Sequence, residues 1–251
     1  MTATCDTEKL RELFDRGLSS GLGDADAQVC IEAAINLACG GGLDDSPPCV
    51  AAADREYAIR INDARWSSPE ARSEALWPLA LAQIGTAGTD RGPWVRRLVE
   101  GTIRRVVPWA LRRAADRVPD HADALRAAAD ECEREGTAQA ARRARDASAA
   151  AAADAGAAAY AGEAAAAGAG EAAYAGAYAA ANADAGADAG AAAYAGEAAY
   201  AAASAAASAD AGADAGASAD AGERDEILRL SVECALDAYA AEGRHGEADD
   251  A

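Results

Sequence analysis

Asp154-Ala-Gly-Ala-Ala-Ala-Tyr160-Ala-Gly-Glu163-Ala-Ala165 returns letter for letter as Asp188-Ala-Gly-Ala-Ala-Ala-Tyr194-Ala-Gly-Glu197-Ala-Ala199, 34 residues later. The repeat lies in a tract, residues 147–222, in which 46 of 76 residues are Ala, and how that tract folds decides the fold of the chain. Two local readings compete. Alanine is the best helix former, although each Gly in a helix interior costs about 1 kcal/mol. Alanine also occupies nearly every odd position from 151 to 221, the period of a silk-like strand with one all-alanine face. The helical reading is preferred, because alanine disfavours strands and the Asp-Ala-Gly clusters at 182–190 and 210–222 look like turns. One helix is then expected from about Thr137 to Ala181 and another from about Ala191 to Ala209. Disorder is a third reading, since alanine buries little area to offset chain entropy unless the helices pair.

Upstream, residues 1–146 hold the large apolar side chains Leu13, Phe14, Trp66, Trp77, Trp94, Val99, Ile103 and Trp109. They are expected to form a helical head that stands alone. Helices are expected at about Asp26–Cys39, ended by Gly40-Gly41-Gly42, and at about Cys49–Ile61. Ser68-Pro69-Glu70 is a helix start, with Pro78 expected to kink or restart that helix. Gly92-Pro93 opens another, which Pro108 is expected to bend or end. Asp120 caps a helix that stops at Gly136. Downstream, a docking helix is expected from about Asp225 to Ala240, then an acidic tail. The expectation is an all-α protein in three parts: head 1–146, alanine-rich arm 147–222, and amphipathic helix with tail 223–251.

The net charge of -19 is uneven: 147–222 contains no Lys or Arg. Such acidity argues against nonspecific binding of nucleic acid or anionic membrane by the whole chain. No run of 18 strongly apolar residues and no signal-peptide pattern is present, so a reducing, cytoplasmic setting with free thiols is expected.

Chemical motifs are weak. Gly17-Leu18-Ser19-Ser20-Gly21 matches a hydrolase pattern but follows a helix rather than a strand, and only His121 and His245 are available as bases. Cys30, Cys39 and Cys49 are too widely spaced for a zinc knuckle and read as core residues. The Asp-Ala-Gly clusters lack the twelfth-position Glu of a calcium loop. No P-loop is possible, because the one Lys is Lys9. No catalytic residue, metal ligand or cofactor is therefore assigned.

Two sets of residues are candidates for contact. Arg96, Arg97, Arg104, Arg105, Arg112 and Arg113 recur in pairs every 8 residues and form a basic ridge opposite an apolar stripe. The ridge suits a solvated face, the chain's own acidic arm, an acidic partner protein, or phosphates of nucleic acid. Tyr160, Tyr174, Tyr178, Tyr194 and Tyr200 are the aromatic residues of the arm and its candidate contacts.

The stretch from Cys30-Ile-Glu-Ala-Ala-Ile35 through Ile59-Arg-Ile-Asn-Asp-Ala-Arg-Trp66 and Ala80-Leu-Ala-Gln-Ile-Gly85 to Cys132-Glu-Arg-Glu-Gly136, with the low-complexity style of the arm, resembles an uncharacterised group of bacteriophage and bacterial proteins. The resemblance implies a phage or prophage context and carries no activity. The functional expectation is a non-enzymatic structural or protein-interaction protein, its partner another protein or a second copy, with no membrane. The alternative is a nucleic-acid-associated accessory protein using the ridge at 91–117.

Overall fold

The computed structural model describes residues 5–155, 160–184, 186–208 and 217–244; side chains at 155, 160–163, 184, 204–208 and 217–220 are outside that description. The described residues are all-α, with no strand beyond a single Gly23–Val29 bridge. Local chemistry sets the first helices. In α1 (Thr7–Asp15) the Asp6 side chain accepts from the Lys9 amide at 2.9 Å. In α2 (Ile31–Ala38) the Cys30 sulfur takes that role, accepting from the Ala33 amide at 3.4 Å. Helix α3 spans Ala52–Asp63. In α4 (Pro69–Gln83) the Ser68 hydroxyl accepts from the Ala71 amide at 3.1 Å, as its Ser-Pro start implies.

Proline acts differently from expectation at two places. Helix α4 runs through Pro78 without restarting; the carbonyl it orphans belongs to the exposed Glu74, where water can satisfy it. Helix α5 (Gly92–Gly101) is not ended by Pro108. It passes through a wider π turn, Thr102–Val106, in which the Val107 amide donates to Thr102 O, and continues as α6 (Val107–Arg117). The widened turn shifts the hydrogen-bond ladder so that Pro108, which has no amide to donate, falls at the first turn of α6. A short 3-10 turn, Pro119–His121, leads into α7 (Ala122–Glu135), which ends on Gly136 at φ 62°.

The alanine-rich tract is helical and is built into the protein. The single helix expected over Thr137–Ala181 is instead two: α8 (Ala138–Ala155) and α9 (Tyr160–Asp184), packed against each other. After a turn with Gly186 at φ 75°, α10 (Asp188–Ser208) packs along the other side of α9. The break expected at 182–190 is therefore present, whereas most of 210–222 lies outside the described residues. The last helix, α11 (Ala217–Ala240), begins eight residues before the expected start.

The boundaries at 146 and 222 do not divide the core. Helix α9 lies on α5 and α6, α10 on α3, and α11 on α4, α5 and α10. One continuous buried cluster joins Leu10, Ile35, Tyr57, Trp94 and Ile103 to Ala172, Ala195, Ile227 and Tyr239. Small side chains make this possible. A Cβ at Gly176 would lie 3.3 Å from Ile103 Cγ1, and one at Gly196 would lie 2.7 Å from Arg60 Cβ and 3.4 Å from the Tyr57 carbonyl. Each buried alanine methyl contributes only about 0.8 kcal/mol, so the layer relies on many of them at close range. The apolar face of the head is covered by the alanine helices and by α11.

Candidate functional site

A buried polar network locks α11 into this core. Arg91, 5% exposed, forms a two-pronged ion pair with Asp54 at 2.8 and 2.9 Å and reaches Glu242 at 2.7 Å. Its guanidinium lies 4.8 Å from the Trp94 ring centre and 5.2 Å from that of Tyr239. The Tyr239 hydroxyl donates to Asp54; burial and that carboxylate hold the phenol protonated. Trp94 donates from Nε1 to the Ala235 carbonyl at 3.3 Å, and Tyr57 donates from its hydroxyl to the Ser231 carbonyl at 2.7 Å. Nearby, Glu32 and Gln83 are fully buried close to one another, and among the described residues their side-chain atoms make no hydrogen bond of normal geometry. Burial, chiefly, pushes the Glu32 carboxyl up to about 8. The apolar surroundings of Glu32 in the sequence, Ile31 and Ala33-Ala34-Ile35, were its only sign.

Four of the six ridge arginines come together in space, and those four are already paired. Arg104, Arg105, Arg112 and Arg113 line a surface cleft of about 440 Å³ with Trp109 and Leu230. Arg105 pairs with Glu233 at 2.5 Å and Asp237 at 2.8 Å; Arg112 pairs with Asp130 at 2.9 Å and Glu133 at 2.5 Å. Arg113 reaches Glu223 at 3.1 Å. Arg104 pairs with Glu100 and donates to the carbonyls of Glu133, Arg134 and Glu135, capping the C-terminal end of α7. Among the described residues, the acids that neutralise the ridge thus sit on α5, α7 and α11 and not in the tract 147–222. Arg96 and Arg97 are exposed and make no ion pair among the described residues.

The tyrosines face outward. Tyr174, Tyr178 and Tyr194 are 41%, 43% and 37% exposed on an otherwise buried helical layer. Their ring centres are 4.4 Å apart for Tyr174–Tyr178 and 5.5 Å for Tyr178–Tyr194, with ring planes at 44° and 46°, so α9 and α10 present one ladder of tilted rings. Tyr200 is also exposed but stacks on no other ring among the described residues. The side chain of Tyr160 lies outside the described residues. Around the ladder, Glu171 is exposed one turn before Tyr174, and Arg145 of α8 is engaged by Asp146 at 2.7 Å.

The Ser19 hydroxyl donates to the Gly21 carbonyl at 3.0 Å, a turn contact. His121 is elsewhere, with Nε2 3.1 Å from Asp154, and His245 lies outside the described residues. The cysteines depart from expectation. Cys30 is buried as anticipated, but Cys39 is bonded to Cys5 in a disulfide, so these two are not free thiols. The Cys49 sulfur is 3.4 Å from that of Cys39 and 4.0 Å from that of Cys5. The 34-residue separation of Cys5 and Cys39 hid the pairing; the Asp6 amide, donating to Ala38 O at 3.0 Å, brings the two strands of chain together.

No family model, curated protein or solved structure matches the chain.

Proposed function

We propose that the protein is a non-enzymatic interaction protein that presents the ladder Tyr174–Tyr178–Tyr194 to a basic surface on a partner protein. The observation that supports this reading is an exposed patch of three neighbouring tyrosine rings on α9 and α10, within a tract, 147–222, that carries acids and no cations. Tyrosine is enriched where proteins meet, because it adds contact area with little entropy to lose. Its ring face also attracts Arg and Lys, and Glu171 adds a carboxylate beside it. Self-association through the ladder would set one acidic surface against its own copy. Nucleic acid is less well supported than a protein, since four of the six ridge arginines are held by the chain's own carboxylates. No helix among the described residues is long and apolar enough to cross a membrane.

The test compares the full chain with the variant Tyr174→Ser/Tyr178→Ser/Tyr194→Ser in affinity purification from host cells, both checked for native helicity. The expected result is a protein held by the wild type, released by salt, and lost from the variant. A partner held equally by both, or nucleic acid as the only salt-sensitive ligand, contradicts the reading.

A further inference from the structure

Three cysteines far apart in the chain converge on one half-buried spot. Cys5 precedes α1, Cys39 follows α2 and Cys49 precedes α3, and their sulfurs all lie within 4.8 Å of one another. Backbone contacts hold each one. The Asp6 amide donates to Ala38 O at 3.0 Å, fixing Cys5 beside Cys39. The Cys39 amide donates to Ile35 O at 2.9 Å, and the Cys49 carbonyl accepts from the amides of Gly85 and Ala87 at 2.9 and 3.2 Å. A disulfide uses two of the sulfurs and leaves Cys49 a free thiol beside it. Cys39 and Cys49 pack partly against the core, but all three residues are only half-buried, unlike Cys30, Cys132 and Cys234.

We propose that the three cysteines, with Cys5 and Cys39 reduced, form a binding site for a thiophilic d10 cation, Zn2+ or Cu+. Thiolates sharing a zinc at about 2.3 Å stand roughly 3.8–4.0 Å apart. The two edges that Cys49 makes, 3.4 and 4.0 Å, are close to this, and the third opens when a thiol reductant, itself oxidised to a disulfide, delivers two electrons and two protons to the Cys5–Cys39 bond. Soft thiolate donors select these ions over Mg2+ or Ca2+. As the sulfur–metal bonds form, the thiol protons leave to solvent and no electron changes hands. Three thiolates satisfy trigonal Cu+, and for Zn2+ the half-buried setting lets water take the fourth position.

The test uses the full chain, reduced, stripped of metal and kept without oxygen. Co2+, as a visible stand-in for Zn2+, is titrated first; Zn2+ and Cu+ are then titrated separately against a chromophoric chelator. The expected result is one equivalent of Co2+ with thiolate-to-cobalt charge-transfer absorption, and protection of Cys5, Cys39 and Cys49 from alkylation by the bound ion. Cys49→Ser and Cys5→Ser should each weaken binding at least about a hundredfold, beyond the roughly 10–100-fold that changes outside the ligand shell cost. Cys132→Ala should bind as the wild type does. The two chelator titrations rank Zn2+ against Cu+ by affinity, and either ion bound with one equivalent at the three cysteines supports the proposal. Absence of binding to the reduced wild type, or binding by the two Ser variants as tight as that of the wild type, overturns the proposal. Circular dichroism of each variant separates loss of ligand from loss of fold, and Cys5, outside every helix, gives the variant least able to disturb it.

Discussion

Tyr239, on the last helix, donates its hydroxyl to Asp54, 185 residues earlier in the chain, and both are sealed from solvent. That contact makes the C-terminal helix part of the core instead of an appendage. Tyr239→Phe removes one donor from a buried carboxylate still held by Arg91, and should cost about 1–3 kcal/mol in urea unfolding. Asp54→Ala strips Arg91 of its two-pronged partner and should cost more, about 3–5 kcal/mol. A chain ending at residue 146 loses Tyr239, the Ala235 carbonyl that Trp94 donates to, and the cover over Ile103. It should show no cooperative thermal transition; a sharp one would restore the head as an independent domain.

Glu32 gives a pH dependence of definite sign. Below about 4.5, its ordinary value, the carboxyl is neutral both folded and unfolded. Between about 4.5 and about 8 the unfolded chain releases the proton while the fold retains it, so stability falls as pH rises through that window and levels off above it. Glu32→Gln removes the titration. The difference in urea midpoint between variant and wild type should grow from pH 5 to pH 8 in favour of the variant; a difference that stays flat across this range contradicts the assignment.

Two glycines test whether the alanine helices are packed or merely adjacent. Gly→Ala in a helix interior gains up to about 1 kcal/mol from propensity alone. Gly222 in α11 has nothing within 4 Å of a new Cβ, so Gly222→Ala should stabilise by nearly that amount. At Gly196 the Cβ would meet Arg60 Cβ at 2.7 Å, and Gly196→Ala should destabilise by roughly 1–3 kcal/mol. Thermal melts of the two variants should therefore move in opposite directions. A rise in both would mean that α10 does not approach α3 as closely as described.

What was legible in the sequence followed from short-range chemistry. The Ser68-Pro69 start, the stop at Gly136 and the turn around Gly186 each depend on one or two residues. The all-α class followed from alanine content once the strand reading was set aside. What was not legible depended on distance. An alanine facing solvent and one buried against Val107 have the same letter, so the depth of α9 was invisible. The α8–α9 break carries little local signal beyond Gly156. Of the candidate contacts, the arginines were found as a ridge, but their partners on α7 and α11 could not be. Tyr174 and Tyr178, four residues apart, share a face of any helix that contains both, whereas the contact of Tyr178 with Tyr194 needs the turn that brings α10 alongside. Asp54, Arg91 and Tyr239, like Cys5, Cys39 and Cys49, meet only because the whole chain folds.

Amide hydrogen exchange of α9 in the intact protein tests most directly whether the low-complexity tract is an ordered core layer that holds the tyrosine ladder in place. Buried helices of a cooperative core exchange only through global opening. The account predicts that amides at 172–183 exchange as slowly as those of α6 around Leu111, with the same denaturant dependence. Exchange at unfolded-chain rates across 172–183 while α6 remains protected would contradict it.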